Sequence, residues 1–224
     1  SNSFVPPPEY WPMVRAICNK YGVLLIIDEI VTGNGRTGKM YACEHFNLVP
    51  DILVLGKGLA GGYLPISAAI ITKEVARKFE GGPKETLIHS YTFEGLAGAC
   101  AAALATLDII EKEKLVENSK IMGEYLFLQL QSLYKHKMVG EIRGNLGLMV
   151  SVELFKDGKT KQRFSPEENI KINRMLKQKL PAVGLWGMFR NPIPICPSLT
   201  ITKSEIDEIV SGFDRVIGEI EKEF

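Results

Sequence analysis

Residues 51–67, DILVLGKGLAGGYLPIS, decide how the rest of the chain is read. Ile52–Leu55 is a short, continuous apolar run of the kind that forms a buried strand. It runs into Lys57, which stands between Gly56 and Gly58, with Gly61 and Gly62 close behind. Glycines at a strand end let the backbone turn sharply and let a planar ligand approach. Desolvation favours the neutral form of an amine, which is the form that attacks carbonyl carbons. A solvated lysine in a flexible surface loop would have the same local sequence, so residues elsewhere must choose between the two readings.

Working outward, Val23–Ile27 is a second apolar run without alternation, the signature of a strand buried on both faces of a parallel sheet. It ends in Asp28-Glu29, two acids at the carboxyl end of a strand, where open α/β sheets place their ligands. An aspartate capping the next turn is the competing reading. Between the two runs lies Gly33-Asn34-Gly35-Arg36-Thr37-Gly38-Lys39, which matches two phosphate-binding patterns by letter and fails both by context. A P-loop needs Ser or Thr after its lysine, and Met40 stands there. A dinucleotide fingerprint needs a long helix on its glycines and an acid about 20 residues on; 41–47 is short and Asp51 comes too early.

The remaining pattern predicts a helix over 9–21 (Trp11, Val14, Ile17, Cys18) stopping at Gly22, and a third strand over 66–71. Helices follow over 72–79 and 96–113, the second rich in alanine and so suited to close packing in a core. An amphipathic helix is expected over 115–134, one or two strands around the glycines of 139–155, and helices over 166–180 and 203–224. A boundary is placed in the long helix near 106–114. His45, His89 and His136 lack ligand-like spacing, so no metal site is expected.

Composition narrows the function classes. With 27 basic and 26 acidic residues in 224, the net charge of +1 offers no field for nucleic acid or an anionic membrane. No apolar run is long enough for a transmembrane helix. Cys18, Cys43, Cys100 and Cys196 are widely spaced with no CxxC, which suits reduced thiols and a cytoplasmic location.

Asp28, Lys57 and the hydroxyl of Thr92, in the extended stretch His89–Phe93, are separated by enough chain for a connecting element between each pair, so all three can converge on one crevice. Pyridoxal 5'-phosphate needs this set: an amine for its aldehyde, a carboxylate to keep its pyridine nitrogen protonated, and donors for its phosphate.

IIDEIVTGNGRTG, PDILVLGKGLAGGYLPISA, HSYTFEGLAGACAAALATL and CPSLTITKSEIDEIV, in that order, resemble the class III aminotransferases of the fold type I pyridoxal-phosphate enzymes. The resemblance spans nearly all of residues 5–215. It implies an α/β fold: 1–110 as the carboxyl-terminal part of the large, mostly parallel cofactor domain, and 111–224 as a small α+β domain. It further implies that Asp28 pairs with the pyridinium nitrogen, that Ile30 packs on the ring face, and that Lys57 joins the cofactor and shuttles the substrate proton. Thr92, with the backbone around Tyr91, would bind the phosphate across a homodimer interface. Arg190 falls where several members clamp a substrate carboxylate, with a surface arginine as the alternative.

The implied reaction moves an amino group from an ω-amino acid or amine to a keto acid such as pyruvate. An aminomutase or other pyridoxal enzyme on the same scaffold, and a non-catalytic fragment, are the alternatives. Asn34 stands where the family usually has an aromatic, Val31 where many members carry glutamine, and Glu94–Gly98 departs from the usual start of the alanine helix. Family members are about twice this length, so the chain is expected to be a carboxyl-terminal half whose sheet has an unpaired edge.

Overall fold

The computed structural model describes residues 3–224, so the first two residues of the domain read as 1–110 lie outside it. The chain forms two compact units, one over Pro6–Val116 and one over Glu117–Phe224 with the first residues up to Val5.

The amino-terminal unit opens with α1 (Tyr10–Tyr21), which Gly22 ends in a left-handed conformation, φ 65°. Its Trp11, Val14 and Cys18, one helical stripe, pack on the unit's core; Ile17 faces solvent. Three strands form the sheet in the order β1 (Ile26–Asp28), β2 (Ile52–Leu55), β3 (Ala68–Ile71). β1 and β2 are parallel, with Asp28 opposite Val54; β3 runs antiparallel to β2. A short helix α2 (Lys73–Ala76) follows, its first turn capped by the Thr72 hydroxyl. Residues 80–96 carry neither helix nor strand and every one of them is exposed.

The expectation of strands buried on both faces is corrected by the structure. Register partners share a face, so Ile27, Leu53 and Leu55 line one side and are buried. Ile26, Asp28 and, on β3, Ile71 line the other, where Ile26 is 57% exposed. A run of Val, Leu and Ile says that a strand has two apolar faces; it does not say that the same stretch of chain supplies both covers.

The small-residue helix α3 (Ala97–Lys112) packs against the tight 3-10 turn Lys57–Ala60 that follows β2. Ala103 joins Leu59 and the fully buried Ala60 in the same core. A Cβ added to Gly61 would lie 3.1 Å from the Thr106 hydroxyl, which shows how closely the turn meets the helix. The alanines are therefore a packing device under the lysine turn.

The carboxyl-terminal unit contains α4 from Glu117 onward (Leu115–Leu130), β4 (Val139–Arg143), β5 (Val150–Leu154), α5 (Pro166–Ala182), β6 (Ile193–Ile195) and α6 (Lys203–Glu221). The strands form an antiparallel sheet in the order β4-β5-β6. Both long helices begin in capping boxes, Ser165 with Glu168 and Thr202 with Glu205, each satisfying donors that a helix start leaves open. Leu126, Leu130, Ile172, Leu176, Ile206 and Ile217 are fully buried between helices and sheet.

Candidate active site

Asp28 ends β1 and Lys57 begins the turn after β2, so parallel pairing puts both at the same end of neighbouring strands. Val54, opposite Asp28, is three residues before Lys57. The separation is thus one strand spacing of roughly 4.8 Å plus at most about 10 Å of chain, within range of a lysine side chain and one aromatic ring. The carboxylate Oδ1 of Asp28 accepts the Ile30 N–H at 2.9 Å. Among the described residues, neither its Oδ2 nor the Lys57 amine has a hydrogen-bond or ion-pair partner.

Lys57 sits at φ 44°, a left-handed conformation that side chains other than glycine and asparagine rarely adopt. The extended Gly56 before it lies under Ile30, whose Cγ2 would be 3.5 Å from an added Cβ. Next to Gly58 the space is open: a Cβ there would meet nothing closer than Asn34, at 4.0 Å. Asn34 is itself left-handed, φ 55°, and only 4% exposed, and among the described residues its buried carboxamide Oδ1 has no partner.

Glu29, read from sequence only as Asp28's companion, has a separate environment. Strand alternation turns it to the covered face, where it is 0% exposed. One carboxylate oxygen accepts the Thr32 hydroxyl at 2.6 Å and the Ala42 N–H at 3.0 Å; the other accepts the Cys43 N–H at 2.8 Å. Burial, then the Glu29 charge and hydrogen bond, push the Cys43 thiol up to about 11. Period-2 alternation already placed Asp28 and Glu29 on opposite faces and was the signal available for telling them apart.

The loop 33–39 is held by its own hydrogen bonds, Gly35 N–H to the Met40 carbonyl and Gly38 N–H to the Gly35 carbonyl. His45 adds Nε2 contacts of 3.0 and 3.2 Å to the Thr37 carbonyl and hydroxyl. Gly33 is obligatory, because a Cβ would fall 2.8 Å from the Glu29 carbonyl oxygen. Asp51 is engaged structurally, accepting Arg15 and the Leu25 N–H, each at 2.7 Å.

Tyr91 and Thr92 lie in the exposed 80–96 segment. No hydrogen bond or ring contact joins either to Asp28, Ile30 or Lys57 among the described residues; Tyr91 stacks edge-on with His89, centroids 5.3 Å apart. Arg190 belongs to the carboxyl-terminal unit, is exposed beside the buried Phe189, and has no carboxylate partner among the described residues.

An acid and a lysine at the carboxyl ends of adjacent parallel strands place this chain among α/β proteins whose ligands sit at strand ends. The chain belongs to the class-III aminotransferase family, whose model matches residues 3–217. It is 41% identical to the taurine–pyruvate aminotransferase of Bilophila wadsworthia, over 98% of this chain and 50% of that protein. Identity to the adenosylmethionine-8-amino-7-oxononanoate aminotransferase of Geobacter sulfurreducens is 37%, covering 95% and 47%. The crystal structure of a thermostable (S)-enantioselective omega-transaminase from Thermomicrobium roseum superposes with a TM-score of 0.91 at 35% identity, over 96% of this chain and 48% of that one. These neighbours assign the fold as that of the fold type I transaminases. The chain spans about half the length of the curated relatives it matches.

Proposed function

We propose that this chain carries the cofactor lysine of a pyridoxal-phosphate-dependent aminotransferase, which moves an amino group from an ω-amino acid or amine to a keto acid such as pyruvate. The observation that carries the reading is the pair Asp28 and Lys57 at one end of two hydrogen-bonded parallel strands, each with a functional atom unengaged among the described residues. The donor and acceptor classes are supported by the relatives' names, taurine–pyruvate aminotransferase and omega-transaminase.

The residues present fit the cofactor. When bound, pyridoxal phosphate supplies an electron sink that stabilises negative charge at a substrate carbon. Asp28 would hold the ring nitrogen protonated through its free Oδ2, and Ile30 would pack against the ring face. The amine of Lys57 would bind the aldehyde and move the proton between the substrate Cα and the cofactor C4′. The open space beside Gly58 and the buried, unpartnered Asn34 Oδ1 leave room and an acceptor for a polar ligand. Tyr91 and Thr92 would meet the phosphate in a homodimer. Exposed Leu87, Phe93 and the 91% exposed Ile88 around them support a segment that another chain covers. Arg190, with no carboxylate partner among the described residues, would clamp a substrate carboxylate.

No described helix is long and apolar enough to cross a membrane, and four widely spaced cysteines with no CxxC support a reducing, cytoplasmic setting. Borohydride reduction of the cofactor-treated protein, followed by peptide mapping, tests the reading: the label is expected on Lys57, and a label elsewhere or none overturns it. An amino donor alone should release its keto product; a rearranged amine instead would indicate an aminomutase.

A further inference from the structure

Glu29 is a fully buried carboxylate that, among the described residues, forms no ion pair. Its neighbours are three neutral donors: the Thr32 hydroxyl, and the N–H groups of Ala42 and Cys43 at the start of the 42–46 turn. The titratable groups around it are Cys43 and Tyr41, the acid Glu44 on the same turn, and Asp28 beside it on the strand. Burying an ion without a counter-charge is costly even when its hydrogen bonds are complete. The fold accepts that cost one residue from the candidate cofactor acid.

We propose that Glu29 is a positioning residue for the candidate site, a second negative charge behind Asp28 that fixes the strand end and favours a protonated nitrogen heterocycle there over a neutral one. The inference rests on the reading that Asp28 meets the ring nitrogen of bound pyridoxal phosphate. Mechanically, Glu29 links the end of β1 to Thr32 and to the 42–46 turn, so the backbone that aims Asp28 is held from both sides. Electrostatically, Asp28 on the open face would contact the ring, while Glu29 on the covered face acts through a medium of low polarity, where charge is screened little. Burial, then the Glu29 charge and hydrogen bond, raise the Cys43 thiol, and Glu29 adds, after burial, Glu44 and Cys43, to the raised Tyr41 hydroxyl.

The test is the nitrogen-15 chemical shift of ring-labelled pyridoxal phosphate bound to the whole protein, followed against pH in wild type, Glu29→Gln and Asp28→Asn. Glu29→Gln should lower the midpoint of ring-nitrogen protonation by about half a pH unit or more, less than the roughly one to three units that a contacting charge produces. Asp28→Asn should lower it further. An unmoved midpoint in Glu29→Gln, with Asp28→Asn shifted and Lys57 labelled by borohydride, overturns the role of Glu29 and leaves the cofactor reading intact. If Lys57 is not labelled, or Asp28→Asn shifts nothing, the cofactor reading fails and takes this inference with it. Should Glu29→Gln not fold, Thr32→Val removes a donor from the carboxylate and makes its charge harder to hold. A smaller shift in the same direction supports the inference, and none overturns it. In the ligand-free protein, thiolate absorbance of Cys43 should move down from about 11 in Glu29→Gln; an unmoved thiol means that Glu29 exerts no such field, and the inference fails.

Discussion

The two units of this chain differ in how far each completes its own burial. The carboxyl-terminal unit closes a core in which Leu130, Leu148, Val152, Leu176, Ile193 and Ile217 are all inaccessible. The amino-terminal unit, which holds Asp28 and Lys57, covers one face of its sheet and leaves Ile26 and Ile71 open on the other. It also leaves exposed the apolar residues Val23 and Leu24 leading into its edge strand. Buried apolar surface contributes roughly 25 cal/mol per Å², so each uncovered side chain withholds stability that an enclosed sheet would gain. Among the described residues, then, the unit with the candidate chemistry is the less finished of the two.

The sharpest way to break that comparison is a matched pair of truncations. Leu176→Ala should cost the carboxyl-terminal unit about 2–5 kcal/mol, a transfer loss plus a cavity. Ile26→Ala should cost the amino-terminal unit no more than about 0.5 kcal/mol, the usual size for a surface change. Urea unfolding followed by hydrogen exchange resolved along the sequence reads both. Equal losses would mean that the open face is covered in solution. Next in size is Gly123→Ala on α4. Its Cβ would fall 2.2 Å from the Gly147 carbonyl carbon, so the loop must move away at a cost of about 1–3 kcal/mol, visible as a lower urea midpoint of the carboxyl-terminal unit.

The same asymmetry explains what the sequence disclosed. The starts of α5 and α6, at 166 and 203, were legible because the signals that begin a helix act locally; the capping boxes of Ser165 with Glu168 and Thr202 with Glu205 appear in the structure. The strand ends were legible because Asp28 and Lys57 each close an apolar run. Neither the cover of β1 nor the antiparallel direction of β3 was legible, since both depend on segments distant in sequence. The role of Glu29 was hidden for a related reason: its partners Ala42 and Cys43 contribute backbone N–H groups, which carry no residue signature. Asn34 is a middle case. Its left-handed φ of 55° suits asparagine, but its unpartnered oxygen is a fact of packing alone.

A smaller effect separates the units by acid. The carboxyl of Asp51 is held below its usual range by the Leu25 N–H and by Arg15, which together tie α1 to the sheet. Asp214 on α6 is likewise held low by Lys135 and then His136. A depressed carboxylate contributes stability that is present above its unfolded value, near 3.9, and is lost as pH falls through the lower folded value. Both units should therefore weaken below about pH 4. The amino-terminal unit, with less core in reserve, should unfold first, as read by circular dichroism and amide exchange against pH. Asp51→Asn should remove part of its acid sensitivity and leave that of the other unit unchanged.

The smallest effect bears most directly on the candidate chemistry. Lys57 is held at φ 44°, a conformation costing a side-chain-bearing residue on the order of 1 kcal/mol. Glycine would adopt it freely but loses more chain entropy on folding, about 0.5–1 kcal/mol, so the two contributions nearly cancel. Lys57→Gly should leave the amino-terminal unit as stable as wild type or more stable by up to about 0.5 kcal/mol, whereas Lys57→Ala keeps the Cβ and the strain and gains nothing. Both variants should lose the borohydride label. A lysine whose removal costs no stability and abolishes cofactor attachment is retained for its amine; if Lys57→Gly instead unfolds the unit in dilute urea, the left-handed turn is structural and the strain is not functional.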